Sequence, residues 1–245
     1  MNAEREKAIL QIAIRQKRVT VSELAKILYA SEPSIRRDLN SLEKQQLLRR
    51  VHGGAVLSEK ALDVKIPFLV RELEKADEKV IIARRAAEMI SDGDVVFLDS
   101  STSAYNIVPF LKQKKNLTVI TNGIRTLEKL CETEIDCIGT GGRVIERCMA
   151  FVGEEAVQAV ARYNADFCFF ACRGLTDNGQ LTDISEYEDI VRRKMIEYAK
   201  KSYLLCTSDR RGKKHYHNLC NVSEITGIIS AEGENSTVTE TKGQK

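Results

Sequence analysis

The sequence predicts two domains: an α+β winged helix-turn-helix, then a larger α/β domain on a mostly parallel sheet. Three observations predict this. Residues 1–57 show helical periodicity and end in a short glycine-containing hairpin. From residue 77 onward, short, continuously apolar runs alternate with helical patterns, as strands buried on both faces of a sheet require. The charge is also unevenly placed: residues 1–57 hold five more Lys and Arg than Asp and Glu, although the whole 245-residue chain carries only +3. A small basic module joined to a near-neutral larger one points to a polyanion partner for the first part alone.

The first helix is expected from Ala3 to Gln16, with Ile9, Ile12 and Ala13 inward. Thr20 and Glu23 have the spacing of a capping box, and Leu24, Ala25 and Leu28 continue one apolar face. After the turn Tyr29-Ala30, Ser31 is a suitable N-cap and Pro33 is tolerated in the first turn. The helix that follows places Ile35, Leu39 and Leu42 on one face. Rotation by about 100° per residue puts Pro33, Ser34, Arg37, Asn40 and Ser41 opposite, with Arg36 on the flank. Such a face suits a major groove: Arg37 reading guanine, Asn40 reading adenine, Arg36 holding a phosphate. Leu47 to Ala55 then reads as a wing, with Arg49, Arg50 and His52 for phosphate or minor groove and Gly53-Gly54 for the turn. The competing reading is a three-helix bundle with a solvated basic face.

Residues 58–76 are rich in polar and charged residues around Ile66 to Leu69 and read as a linker; 77–231 form the second domain, and 232–245 a disordered tail. In the second domain, strands are expected at Val95–Asp99, Leu117–Thr121, Ile135–Gly139, Phe167–Cys172, Tyr203–Thr207 and Gly227–Ser230. Helices are expected at Lys79–Ile90, Tyr105–Leu111, Arg125–Cys131, Glu154–Tyr163 and Glu188–Lys200. Ligands of such sheets bind beyond the C-terminal ends of the strands. There the chain reads Asp99-Ser100-Ser101-Thr102-Ser103, hydroxyls and N–H groups gathered at a helix start, which suits an anion. Capping alone would also explain them. Thr121-Asn122-Gly123 and Gly139-Thr140-Gly141-Gly142-Arg143 follow the next two strands. Asp183, Glu186, Glu188 and Asp189 surround a later helix start, either as acceptors of ligand hydroxyls or as ordinary N-terminal carboxylates.

Residues 3–57 resemble the winged helix of the DeoR family of bacterial regulators, in Ser31-Glu32-Pro33-Ser34-Ile35-Arg36-Arg37-Asp38-Leu39 and in Leu48-Arg49-Arg50-Val51-His52-Gly53-Gly54-Ala55. Nearly all of residues 64–230 resemble that family's sensor domain, whose fold is similar to ribose-5-phosphate isomerase and glucosamine-6-phosphate deaminase. Asp99 to Ser103 matches the family's Asp-Ser-Gly-Thr-Thr phosphate loop, with Ser101 in place of glycine and Ser103 in place of threonine. Thr121-Asn122 and Gly141-Gly142 match directly, and Glu188 to Met195 matches a helix with an acidic start and basic middle. Two departures stand out. Ala171-Cys172-Arg173-Gly174 replaces a Gly-Ala-x-Gly pattern, and Arg210 stands where a lysine is common. The resemblance implies a repressor of carbohydrate catabolic genes, released by a phosphorylated metabolite held by these loops together with Arg173, Glu188 and Arg210. The related enzymes carry an acidic motif where this chain has Ala171 to Gly174, so the alternative, an isomerase- or deaminase-like enzyme with a DNA-binding appendage, lacks its base. A third reading is a constitutive DNA-binding protein whose second domain only oligomerises.

The expected partners are therefore double-stranded operator DNA, a phosphorylated small molecule and a second copy of the chain, a dimer being the minimum for palindromic DNA. No cofactor, metal or membrane is expected. No apolar run approaches the roughly 18 residues of a membrane span, no signal peptide opens the chain, and a cytoplasmic location follows. Seven cysteines without a Cys-x-x-Cys pair suit a reducing compartment better than a disulfide framework or a zinc site. His215 and His217 form a His-x-His pair without nearby ligands at suitable spacing.

Overall fold

The computed structural model describes residues 3–58 and 68–236, and the chain divides into two units, Met1–Ala76 and Asp77–Lys245. The first unit runs α1 (Ala3–Gln16), β1 (Arg18–Thr20), α2 (Val21–Ile27), α3 (Glu32–Lys44), β2 (Leu48–Val51), β3 (Gly54–Leu57) and α4 (Phe68–Leu73). Both inner helices start as their sequences dictate. Thr20 Oγ1 accepts the Glu23 N–H at 3.2 Å while Glu23 accepts the Thr20 N–H at 3.1 Å, and Ser31 Oγ accepts the Ser34 N–H at 3.4 Å. Ile9, Leu10, Ala13, Leu24, Ile35, Leu39 and Leu42 close one core between the three helices. The wing is a three-stranded sheet in the order β1-β3-β2. Gly53 turns it at φ +76°, and Gly54 lies so near β1 that a Cβ would stand 2.0 Å from the Val19 carbonyl oxygen.

The expected linker 58–76 needs correction. Residues 59–67 lie outside the described residues, but Phe68–Leu73 forms α4, whose Val70 and Leu73 join the core of the first unit. Phe68, Val70 and Leu73 give this short stretch a buried side, which its polar flanks obscure in the sequence.

The second unit runs α5 (Ala76–Glu88), β4 (Val95–Leu98), α6 (Thr102–Tyr105), α7 (Val108–Leu111), β5 (Thr118–Thr121), α8 (Ile124–Leu130), β6 (Asp136–Gly139), β7 (Arg143–Ile145), β8 (Ala150–Val152), α9 (Glu154–Val160), β9 (Ala165–Phe170), β10 (Gly174–Leu175), β11 (Gln180–Asp183), α10 (Glu186–Glu197), β12 (Ala199–Leu205), β13 (His217–Asn221), β14 (Gly227–Ile229) and β15 (Glu234–Ser236). The main sheet has the order β15-β14-β12-β9-β4-β5-β6. Every neighbouring pair from β14 to β6 is parallel, with Leu98 opposite both Thr121 and Phe169. Successive residues of the central strands bury on opposite faces: Phe97, Cys168 and Phe170 in one core, Val96, Leu98 and Phe169 in the other. This is the doubly covered sheet that the apolar runs require.

Four details differ from expectation. The helix expected at Tyr105–Leu111 is two short helices beginning at Thr102, because Pro109 has no N–H to bond the Tyr105 carbonyl. The tail expected from 232 begins with β15, which pairs antiparallel to β14. Backbone pairing with an open sheet edge needs no apolar side chains; residues 237–245 lie outside the described residues. The β7–β8 hairpin and the small sheet β10-β11-β13 were not expected, their strands being too short to show a period. Among the described residues no helix is long and apolar enough to cross a membrane.

Candidate functional site

Two candidate surfaces follow, one in each unit. In the first, α3 turns Ser31, Pro33, Arg36, Arg37 and Asn40 outward, all exposed, with Ser34 half-buried beside them. The guanidinium of Arg37 donates to Ser34 Oγ at 3.3 Å, and Arg36 pairs with Glu32 one turn earlier at 3.2 Å. Arg50 ties the wing to α3: its N–H donates to Glu43 at 2.8 Å, its Nε to the Gly54 carbonyl at 3.1 Å, and its Nη1 to Asn40 Oδ1. Asn40 and Arg50, expected to touch DNA separately, thus satisfy one another in the free chain. Arg49 and His52 are exposed on the wing. Sequence reasoning missed Asp38, which is buried and paired with Arg5 of α1 at 2.5 and 3.1 Å. Its spacing was the signal, since Ile35, Asp38, Leu39 and Leu42 share the inward stripe.

In the second unit, all five expected loops leave the same edge of the sheet, because the strands before them are parallel. β4 is the switch point: the chain moves from it to β5 and β6 on one side, then returns with β9 and β12 on the other. In spatial order the edge carries Arg210, Arg173, Ser100 to Ser103, Thr121-Asn122 and Gly141-Gly142. Neighbouring strands lie about 4.8 Å apart, so this row spans about 19 Å, more than one sugar phosphate covers.

At its centre Asp99 is buried and fully engaged. One oxygen accepts the Ser101 N–H at 3.0 Å; the other accepts the Ala171 N–H at 3.2 Å and Arg192 Nε at 3.0 Å. Asp99 therefore shapes the loop. Ser101 Oγ caps α6 at the Ala104 N–H, 3.1 Å away. Ser100, Thr102 and Ser103 are buried, and Ser100 donates to Glu188 at 3.1 Å. Glu188 also accepts from the Cys148 thiol at 2.8 Å. Beyond β5, Thr121 Oγ1 accepts the Gly123 N–H at 3.0 Å, and the Asn122 amide donates to the Phe151 carbonyl of the β7–β8 hairpin at 3.1 Å. Gly142, at φ +109°, is needed for packing, as a Cβ would meet the Val152 oxygen at 2.7 Å. Arg173 and Arg210 are half-buried, Arg210 pairing with Asp209 at 3.3 Å.

The residue sequence reasoning missed is Arg192. Buried on the inner face of α10, it reaches Asp99 on the β4 loop, Asp183 at the end of β11 (3.3 Å) and Asp189 in its own helix. Burial alone would pull this guanidinium down, but the surrounding carboxylates hold it well above its ordinary range. Burial also pushes Asp99 up, against the pull of Arg192. It raises Asp189 to about 6, despite Arg192 and despite His217, whose Nδ1 lies 2.6 Å away. Of the acidic cluster expected at the start of α10, Asp183 and Asp189 are thus bound to Arg192, while Glu188 accepts from Ser100 and Cys148 and Glu186 is exposed. Three polar atoms near the same edge, Asn122 Oδ1, Thr126 Oγ1 and Ser185 Oγ, are buried without a hydrogen-bond partner. Among the described residues no group of three or more His, Cys, Asp or Glu is placed to hold a metal ion; His217 turns to Asp189, and the His215 N–H donates to Thr182 at 3.0 Å.

Comparison with known proteins follows this division. Residues 5–61 match the model of the DeoR-like helix-turn-helix domain, and residues 74–232 that of the DeoR C terminal sensor domain. The chain is 33% identical over 227 residues to the L-fucose operon activator of Haemophilus influenzae, covering 92% of this chain and 90% of that one. It is 28% identical over 228 residues to the glycerol-3-phosphate regulon repressor of Escherichia coli, covering 93% and 90%. Among solved structures, a translation initiation factor eIF-2B of Pyrococcus horikoshii superposes over 95% of this chain and 89% of its own, with a TM-score of 0.50 at 15% identity. That likeness concerns the fold alone.

Proposed function

We propose, from the premise that this chain belongs to the DeoR family of transcription regulators, that it is a cytoplasmic repressor of carbohydrate catabolic genes which leaves its operator when a phosphorylated sugar or related metabolite binds the second unit. The observation that carries the reading is the convergence of the hydroxyl loop, Asn122, Arg173 and Glu188 around the β4 switch point. The edge has two chemical sides. Arg173, Arg210 and the N–H groups of Ser100, Thr102 and Ser103 suit a phosphate. Glu188 and the unpartnered side-chain Oδ1 of Asn122 are acceptors and suit hydroxyl groups. A polyol phosphate offers both.

On this reading the edge binds and does not catalyse. Asp99, Asp183 and Asp189 are held by one guanidinium, which leaves them poorly placed to take a proton from carbon. DNA contact falls to Ser31, Pro33, Ser34, Arg36, Arg37 and Asn40 of α3 and to Arg49, Arg50 and His52 of the wing. The relatives include both a repressor and an activator; repression is the direction proposed here, with a homo-oligomer as the active form. The test is operator binding by gel shift with and without a panel of sugar phosphates. One compound should weaken binding at least tenfold, and a panel without effect would refute the sensing half. Turnover of ribose-5-phosphate or glucosamine-6-phosphate by the pure protein would refute the non-enzymatic half.

A further inference from the structure

Helix α10 has two faces of opposite character. Its inner face carries Glu188, Asp189, Val191, Arg192 and Met195, all buried, and through Ser100 and Asp99 it touches the loop at the switch point. Its outer face carries Glu186, Tyr187, Ile190, Arg193, Lys194 and Glu197. Ile190 is 49% and Tyr187 56% exposed. Arg143 lies over the Tyr187 ring, its guanidinium carbon 5.9 Å from the centroid, so the hairpin and the helix form one patch.

We infer that this outer face of α10 is a two-fold contact with a second copy of the chain, centred on Ile190. The face is complementary to itself in charge. Taking about 100° and 1.5 Å per residue, Glu186 lies about 6 Å before Ile190 and Arg193 about 4.5 Å after it, on the same side of the stripe. Tyr187 and Lys194 occupy the corresponding places on the other side. A two-fold axis that sets two such helices antiparallel brings Ile190 against Ile190 of the second copy, Glu186 against Arg193, and Tyr187 against Lys194. Each contact occurs twice, as an isologous interface requires, and among the side chains of the two helices no like charges meet. Within the chain Arg193 pairs with Glu224 at 2.8 Å and donates to the Leu219 carbonyl at 3.1 Å, and Lys194 pairs with Glu197 at 2.8 Å; the two ion pairs lie at the surface and are of small worth, so exchanging them costs little. This inference deepens the proposed function, since one helix would then carry both the subunit contact and the floor of the effector site. It rests on that reading only for its regulatory meaning.

The test is the mass of the full chain in solution by sedimentation velocity, without DNA or effector. Wild type is expected to be dimeric or larger at micromolar concentration. Glu186→Lys and Arg193→Glu, each alone, set like charges across the contact and should weaken association roughly a hundredfold. Mixed one to one, the two variants should associate again, because each heterodimer restores opposite charge at both places. Ile190→Glu should dissociate with no partner to rescue it. Circular dichroism of each variant shows whether the fold survives. Singly substituted chains that associate like wild type, or a mixture that stays apart, would overturn the inference while leaving the operator and effector tests untouched; a monomeric wild type would overturn it as well.

Discussion

Arg192 holds three buried carboxylates, from the β4 loop, the end of β11 and α10, and its loss has a definite consequence. Arg192→Met would leave those acids facing one another without a cation, and removing one partner of a buried ion pair costs about 3–5 kcal/mol. Urea unfolding should show a loss of that size, with Arg192→Lys recovering only part, since an ammonium cannot reproduce the fork. Asp189 gives a second expectation. It takes up a proton near pH 6 in the folded chain against 3.8 ordinarily, so between about pH 4 and 6 the folded state binds more protons than the unfolded one. Its ionisation therefore lowers stability as pH rises through that window and costs nothing below it. Asp189→Asn lacks this cost, and its stability relative to wild type should improve by about 2–3 kcal/mol between pH 4 and 6. A difference that stays flat across the window would refute the buried, shifted carboxylate. Neither role was legible in sequence. Asp99 lies 93 residues from Arg192, and only the folded sheet edge brings them together, whereas Asp38 could have been found from its place on an apolar stripe.

At the scale of elements, legibility followed length and pattern. The capped helices α2 and α3 and the central apolar strands were read to within a few residues, because each carries its own period or cap. The β7–β8 hairpin and the β10-β11-β13 sheet, with strands of two to five residues, were not read; their pairing is set by neighbours distant in sequence. The α3–wing pair makes the sharpest prediction. Arg37→Ala should cost about 1–3 kcal/mol of operator binding and relax the preference at one base pair. Arg49→Ala should weaken binding alike on all sequences and make the salt dependence shallower by about one counterion. Fluorescence anisotropy on operator and scrambled duplexes over a salt series separates the two. Gly54→Ala tests the wing itself. Its Cβ has no room against β1, so the hairpin must separate from that strand, and operator binding should fall with the phosphate contacts it carries.

For the whole molecule the question is what joins metabolite to operator. If a metabolite weakens operator binding by some factor, linkage requires that operator DNA weaken metabolite binding by the same factor. Isothermal titration of the metabolite into free and operator-bound protein should give one ratio, equal to that from DNA titrations with and without metabolite. Arg173→Ala and Arg210→Ala separate sensing from DNA binding. Both side chains are half-buried, on the loops that follow β9 and β12 and in the other unit from α3, so stability and metabolite-free operator affinity should stay near wild type. Each loses a cation suited to the phosphate, so metabolite affinity should fall by tenfold or more, in line with about 1.5–3 kcal/mol for a hydrogen bond to a charged group. The operator complex of these variants should then persist at metabolite concentrations that release wild type. Release at wild-type concentrations would mean that the phosphate is held elsewhere along the 19 Å row, toward Asn122 and Gly142, since strands about 4.8 Å apart do not let one small ligand reach both ends.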